Sequence, residues 1–297
     1  MMQPKTKIRD GRTDFMINLV IYLILSVVIL ISLLPLIYIL SNSISDPRMV
    51  ITGQVYLVPK DLSFMAYQKV FEDSEILIGY RNTIFYTIFG TGINIVLTTL
   101  AAYVLSRKRL KGKGFFTMFI VFTMFFQGGM IPNYLLLLKL HMTDTIWALL
   151  LPRAISVFNF IIMRTFFEIN IPDELYEAAK IDGCSNTGIL LKIVLPLSRT
   201  ILAVMVLYYG VYNWNSYFDA LLYLQDKQLQ PLQLVLRKIL LQNSIDGVAS
   251  EAPTEMEMIG ESIKYAAIVV ASLPILCLYP FLQKYFTKGV MIGAVKG

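Results

Sequence analysis

The feature that most constrains this chain is the run Phe15 to Leu40, which contains no charged residue. As a helix it would extend about 39 Å, enough to cross a hydrocarbon core of about 30 Å with some tilt. A soluble core has no use for so long an uncharged stretch. Lys5, Lys7, Arg9 and Arg12 precede it, as cations precede the apolar part of a signal peptide. However, it is much longer than the roughly 7–15 residues of such a segment, and no small-residue cleavage signature follows. It reads as an uncleaved membrane anchor.

Composition extends this reading to the whole chain. Of 297 residues 56% are apolar and 15% charged, with a mean hydropathy of +0.64. Soluble domains carry about 25% charged residues, so the material for a wetted surface is missing. Disulfide scaffolds, disordered chains and ordinary cytosolic enzymes are excluded. A second span is expected from Ile84 to Leu105, ended by Ser106-Arg107-Lys108-Arg109. A third starts at Phe115 and is interrupted by Gln127-Gly128-Gly129 and Pro132. A fourth covers Thr145 to Met163, a fifth runs from near Pro196 to Phe218, and a sixth from Ile263 to Phe281 with kinks expected near Pro274 and Pro280. The expected fold is an all-α integral membrane protein of six transmembrane helices. Its layout is a tail over 1–14, a transmembrane domain over 15–286 and a tail over 287–297.

An even number of spans puts both termini on one side. With the N-terminus inside, the inner segments 1–14, 106–114, 164–199 and 282–297 hold sixteen of the 26 basic residues and seven of the 20 acidic ones. Cations favour the cytoplasmic ends of spans, so both termini are expected in the cytoplasm and the chain in the cell membrane. Orientation also accounts for the net charge of +6 and a pI near 9.1, and a nucleic-acid partner is not needed to explain them.

The residues of catalysis and metal binding are sparse. His141 stands alone in a short loop, and Cys184 and Cys277 fall in an inner loop and a span, where no structural disulfide is expected. Lys111-Gly112-Lys113-Gly114 does not have the spacing of a nucleotide-binding loop. The chain is expected to be no enzyme and to hold no cofactor or metal; any ATP would be bound by another subunit. Arg153 is the clearest charge within a span. It reads either as a cavity-lining or subunit-pairing residue, or as a residue snorkelling to the outer interface from a span that begins later.

The segment 171–197 is the most informative. Pro172 suits a first helical position, Asp173 and Glu174 suit a helix N-terminus, and Gly183 suits the left-handed position that ends a helix. Leu175, Ala178, Ala179 and Ile181 form a narrow apolar stripe. A second short helix through Ile189, Leu190 and Ile193 reaches the membrane at Pro196. Ala178 and Ala179 allow close approach of a partner, and Glu177 and Asp182 offer charged anchors. An elbow floating on lipid headgroups fits the same periodicity.

This segment also carries a resemblance. Glu177-Ala178-Ala179, three residues, Gly183, nine residues and Ile193-Val194-Leu195-Pro196 resemble the EAA loop of ABC-importer permeases. Asn82-Thr83, Ala101-Ala102-Tyr103, Phe126 to Pro132, Asn213-Trp214-Asn215 and Gly289 to Gly293 are similar to carbohydrate-importer permeases, in particular the LplC/YtcP-like branch and more distantly the maltose permease. The resemblance spans about residue 10 to 297 and implies the MetI-like fold of type I importers. It also implies a second homologous permease, a cytoplasmic ABC ATPase dimer binding ATP and Mg, and an extracellular solute-binding protein, a lipoprotein, delivering carbohydrate. Glu177, Ala178, Ala179 and Gly183 would then dock a coupling helix on the ATPase, and the C-terminal tail would reach between the ATPase subunits.

Aromatic faces beside amide donors suit sugar rings, which makes Asn213, Trp214, Asn215 and Tyr217, with Arg153, candidates for a substrate path. Tyr and Trp also gather at membrane interfaces without any ligand. The segment 219–262, with a helical stripe at Leu232, Val235, Leu236 and Ile239, is expected to help receive the binding protein. An importer for another solute, an ion-coupled carrier and a non-transporting membrane scaffold are the alternative functions.

Overall fold

The computed structural model describes residues 12–246 and 255–294, so Lys5, Lys7, Arg9 and Lys296 lie outside the described residues. Within them the chain is helical, apart from turns and one isolated bridge between Ser45 and Leu62. It divides into two units. One holds the N-terminal part to Val70 with Asn243–Val269, and the other holds Phe71–Gln242 with the chain from Val270 onward.

The first unit is led by α1 (Arg12–Ser43), followed by α2 (Pro47–Ile51) and α3 (Met65–Glu72). Over its most apolar window α1 has a mean hydropathy of 3.0 and no residue buried within the chain. A helix apolar on every side must face lipid or other apolar helices, as the sequence requires. Its C-terminal end changes character: Ser41, Asn42 and Ser43 are buried. Ser41 donates to the Leu57 carbonyl at 2.8 Å, and Ser43 Oγ lies 2.9 Å from Tyr67 Oη, tying the returning chain down.

The second unit is organised around α4 (Ser74–Ser106), which packs against two later helices, Val157–Asn170 and Arg199–Trp214. α4 carries a buried stripe, Asn82, Tyr86, Gly90, Asn94 and Thr98, at four-residue intervals that place it on one face, with the buried Thr83 and Thr91 beside it. In an apolar surrounding the polar groups must find partners. Asn82 Nδ2 donates to the carbonyls of Gln228 (2.7 Å) and Gln230 (3.1 Å), and Thr83 Oγ1 accepts from Leu232 N at 2.8 Å.

α5 (Lys113–Phe125) and α6 (Met130–Lys139) are bent by 111° at the expected interruption. Gly129, with φ +85°, takes a backbone conformation that L side chains rarely adopt. The fourth span departs from expectation. α7 (Trp147–Leu150) is one turn, residues 151–156 are non-helical, and α8 (Val157–Asn170) begins only after Ser156, whose side chain accepts from Asn159 N. Pro152 lacks the N–H needed to continue α7, and the Ser156 cap starts a new helix. Arg153 therefore stands on a turn between two helices and not within a continuous helix.

Then follow α9 (Asp173–Ile181), α10 (Asn186–Ile189), a π-helical turn (Leu190–Val194) and α11 (Leu195–Leu197). The chain bends by 84° into α12 (Arg199–Trp214). α13 (Phe218–Tyr223), a 3₁₀ turn (Lys227–Leu229) and α14 (Leu232–Asp246) come next; of the expected stripe Leu232, Val235 and Leu236 are buried and Ile239 is half-buried, and Leu234 outside it is buried too. α15 (Glu255–Ala294) passes through Pro274 and Pro280 as one helix and crosses position 287 without a break, so the expected C-terminal tail is helical to Ala294. Three helical stretches among the described residues are long and apolar enough to cross a membrane: Asp14–Ser43, Ser74–Ser106 and Met258–Leu278. Counting each bent pair as one span gives five. The fold is that of an all-α membrane protein.

Candidate functional site

The EAA-like segment forms a capped helix and a bent return. Pro172, with ψ 147°, sits at the cap and not in the first turn, so the helix begins with Asp173 and Glu174, whose charges favour its N-terminus. At the other end Gly183 has φ +76°. Cys184 N donates to the Ala179 carbonyl (2.9 Å) and Gly183 N to the Lys180 carbonyl (3.1 Å), the paired bonds of a Schellman cap. Pro196 cannot donate the helical bond expected of it, and the chain before it widens into the π turn.

The two faces of α9 have different partners. Tyr176 and Ala179 are buried in one cluster with Ala102, Tyr103 and Leu105 of α4, Phe160, Met163 and Phe167 of α8, Val194 of the π turn, and Met205 and Tyr209 of α12. The opposite face is bare: Leu175, Ala178 and Ile181 are exposed, Ile181 by 86%. The expected apolar stripe therefore splits. Ala179 faces the chain's own core, while Ala178 is open to a partner.

A second set of contacts clamps α9 from the connection after α4. The Arg107 guanidinium carbon lies 3.4 Å from the centre of the Tyr176 ring and 5.5 Å from that of Tyr103, a cation–π stack. Lys108 Nζ is 2.8 Å from Asp173 Oδ2, and Arg109 pairs with Glu177. The hydrogen bond between Lys108 and Asp173 raises the lysine's pKa and lowers the carboxyl's, and burial pushes the Tyr176 phenol up against the opposing pull of Arg107. Arg164 Nε donates to the Leu105 carbonyl at 3.0 Å and Nη2 meets Glu168 at 2.8 Å, while Lys113 pairs with the same Glu168. Glu177 is thus paired within the chain while remaining half exposed, whereas Asp182 and Gly183 lie exposed beyond the clamp. The basic run was legible as a topology signal. Its role as a clamp was missed, although five carboxylates in 164–199 already faced five cations in 106–114.

A cavity of about 1020 Å³ lies elsewhere in the same unit, between the α5–α6 break, the turn at 151–156 and α12. Arg153, Gln127, Asn133, Asn159, Tyr208 and Tyr212 contribute its polar lining. Arg153 Nη1 donates to Tyr212 Oη at 2.7 Å, and Nη2 lies 3.2 Å from Asp219 Oδ1. The turn that carries Arg153 is fixed from behind: Asn94 Nδ2 donates to the carbonyls of Arg153 (3.2 Å) and Ala154 (2.9 Å), and Ser156 N donates to Tyr209 Oη at 3.1 Å.

The other candidates for a substrate path fall outside this lining. Asn213 Nδ2 donates to Asn94 Oδ1 (3.0 Å) and Thr91 Oγ1 (3.2 Å), joining α12 to α4 where Gly90 permits close approach. Trp214 is buried, donates to the Ala271 carbonyl at 3.1 Å and meets Tyr80 edge-on. Asn215 bonds the Val211 carbonyl of its own helix, and the exposed Tyr217 ring lies 5.4 Å from the Arg237 guanidinium. These contacts are between helices or within one, and only Arg153 of the five faces the cavity. No group of three or more His, Cys, Asp or Glu arranged to hold a metal ion occurs among the described residues.

Comparison with known proteins matches residues 7–292 to the family described as binding-protein-dependent transport system inner membrane component. The chain is 42% identical to the polygalacturonan/rhamnogalacturonan transport system permease protein YtcP of Bacillus subtilis over 94% of this chain and 98% of the relative. It is 41% identical to the protein LplC of the same organism over 90% of each. Among solved structures, it is similar to a chain from a bacterial ABC transporter involved in the import of the acidic polysaccharide alginate. The TM-score is 0.84 and the identity 35%, covering 93% of this chain and 98% of that one.

Proposed function

We infer the function from one premise: the chain belongs to the family of binding-protein-dependent transport system inner membrane components. It is the permease subunit of an ABC carbohydrate importer, and its work is transport and not catalysis. Relatives named for polysaccharide transport support a carbohydrate cargo, which we propose to be an oligosaccharide. The chain contributes one half of a translocation path, a second homologous permease the other half, and a cytoplasmic ATPase dimer supplies the ATP and Mg chemistry. An extracellular binding protein delivers the sugar, with the outer segment 219–262 helping to receive it.

The layout we propose has six spans, built on α1, α4, the bent pair α5–α6, the turn at 151–156 with α8, then α12 and α15. Both termini and α9 lie in the cytoplasm; the cations of the α4–α5 connection support this orientation. The coupling loop at 171–197 docks through the bare face of α9, with Glu177, Ala178, Asp182 and Gly183 towards the ATPase and Ala179 fastened to the core.

The observation that carries the mechanism is the two-faced α9. Tyr176 and Ala179 are locked into the cluster that also holds α4, α8 and α12, and the opposite side is exposed among the described residues. Because packed interiors transmit displacement, a push on the bare face moves the three helices together and not α9 alone. ATP-driven closure of the ATPase dimer thereby switches the permease between inward-open and outward-open forms. Tagged chain extracted in mild detergent should bring out a second permease and an ATPase, and vesicles holding the complex should take up sugar only with ATP. A chain that purifies alone and transports on an ion gradient overturns the assignment.

A further inference from the structure

We propose that the cavity beside Arg153 is a binding site for an acidic carbohydrate, a uronate-bearing oligosaccharide, with the Arg153 guanidinium as its carboxylate ligand. This rests on reading the chain as a carbohydrate permease and deepens that reading.

The charge pattern of the cavity carries the inference. Arg153 is the one ionised side chain among its lining residues, and Asp219 lies outside that lining. The Arg153 side chain is 56% exposed and its partner carboxylate 13%, so the pair shows its cation to the open side and keeps its anion behind. A guanidinium has five N–H donors. Tyr212 and Asp219 fix its orientation with one donor nitrogen each, and donors remain for a second carboxylate in the two-pronged geometry that arginine favours. Asn94 holds the backbone of the turn through two carbonyls, so the guanidinium projects from a fixed support.

The remaining lining suits the rest of such a ligand. Gln127, Asn133 and Asn159 offer amides that both donate and accept, as sugar hydroxyls require, and Tyr208 and Tyr212 offer aromatic faces. A neutral sugar would gain little from the cation and would need only the amides and rings. A uronate gains charge-assisted hydrogen bonds to the guanidinium that a neutral sugar lacks.

The test uses the complex of both permeases and ATPase in detergent, without the binding protein, whose own selectivity would mask the site. Binding of trigalacturonate and of its fully methyl-esterified, uncharged counterpart is measured on wild type, Arg153→Gln, Arg153→Lys and the charge-balanced Arg153→Gln/Asp219→Asn. We expect wild type to bind the acid at least tenfold more tightly than the ester, Lys to keep part of the preference, and both Gln variants to bind the two alike. Equal binding of acid and ester by wild type, no binding of the acid, or an unchanged preference in both Gln variants overturns the proposal. ATP-dependent uptake of a sugar by the wild-type complex reconstituted in vesicles with its binding protein is scored separately. Its presence with no acid preference removes only the role of Arg153, and its absence removes the permease reading itself.

Discussion

Gly183 offers the sharpest perturbation of the coupling elbow, because the space around it is open and its backbone is demanding. A Cβ added there meets nothing within 4 Å, so Gly183→Ala creates no clash. Its cost comes from φ +76° alone, about 1–2 kcal/mol for an L residue held in the left-handed region. That is a factor of about 5–30 in the population of the intact cap. Asparagine tolerates this conformation better and should cost less. Proline cannot adopt it and also removes the N–H that bonds the Lys180 carbonyl, so the chain leaves α9 in another direction and α10 is displaced. In vesicles with the full complex, coupled uptake should fall in the order Gly, Asn, Ala, Pro, with Pro near zero and the amount of inserted chain unchanged. ATP hydrolysis, followed in the same vesicles, should lose its stimulation by loaded binding protein in the same order. A proline variant that transports like wild type, or an asparagine variant as damaged as the proline one, would refute the reasoning.

Tyr176→Ala removes both a core ring and the stack under Arg107, which should cost about 3–5 kcal/mol of local packing; ATP hydrolysis should persist while uptake drops, measured on one preparation. At Gly90 a Cβ would lie 2.9 Å from Asn213 Nδ2, so Gly90→Ala should break the amide bridge between α4 and α12, leave buried polar atoms unpaired at about 1–3 kcal/mol, and lower the melting temperature of the purified complex; an unchanged melting temperature counts against that bridge. The Lys108–Asp173 pair has a defined pH window. The carboxyl's lowered pKa gives a contribution present above its ordinary value of about 3.9 and lost as pH falls through the lowered one, and the lysine's raised pKa gives one present below about 10.4 and lost as pH rises through the raised one. Between about pH 5 and 9 neither group titrates, so Asp173→Asn should change the uptake rate without changing the shape of its pH profile; a new inflection between pH 6 and 8 would contradict the pairing.

Much of this was readable from single residues with few options. Phe15–Leu40 has no charge to place in water, Gly128-Gly129 breaks α5 from α6, and Gly183 fits one backbone conformation. The fourth stretch is not one continuous helix, and this was not legible because average hydropathy over Thr145–Met163 does not register that Pro152 stops one helix and Ser156 starts another. The sides of α9 were not legible either: Ala178 and Ala179 lie about 100° apart on the helix, and periodicity alone does not say which of them meets the core. Asn213 and Trp214 resemble sugar contacts in composition but bond to Asn94 and Ala271, partners 119 and 57 positions away. The clamp on α9 depends likewise on a long-range meeting, Arg107–Arg109 with residues 173–177, that no local pattern encodes.

The central claim is that the bare face of α9 receives the ATPase and its buried face passes the movement on. Ala178→Arg tests it most directly, since the side chain is exposed and the substitution leaves the α9 core contacts in place. The account predicts that this variant inserts and still pairs with its sister permease, yet loses both the co-purifying ATPase and ATP-driven uptake. Retention of the ATPase and of full uptake by Ala178→Arg would contradict it.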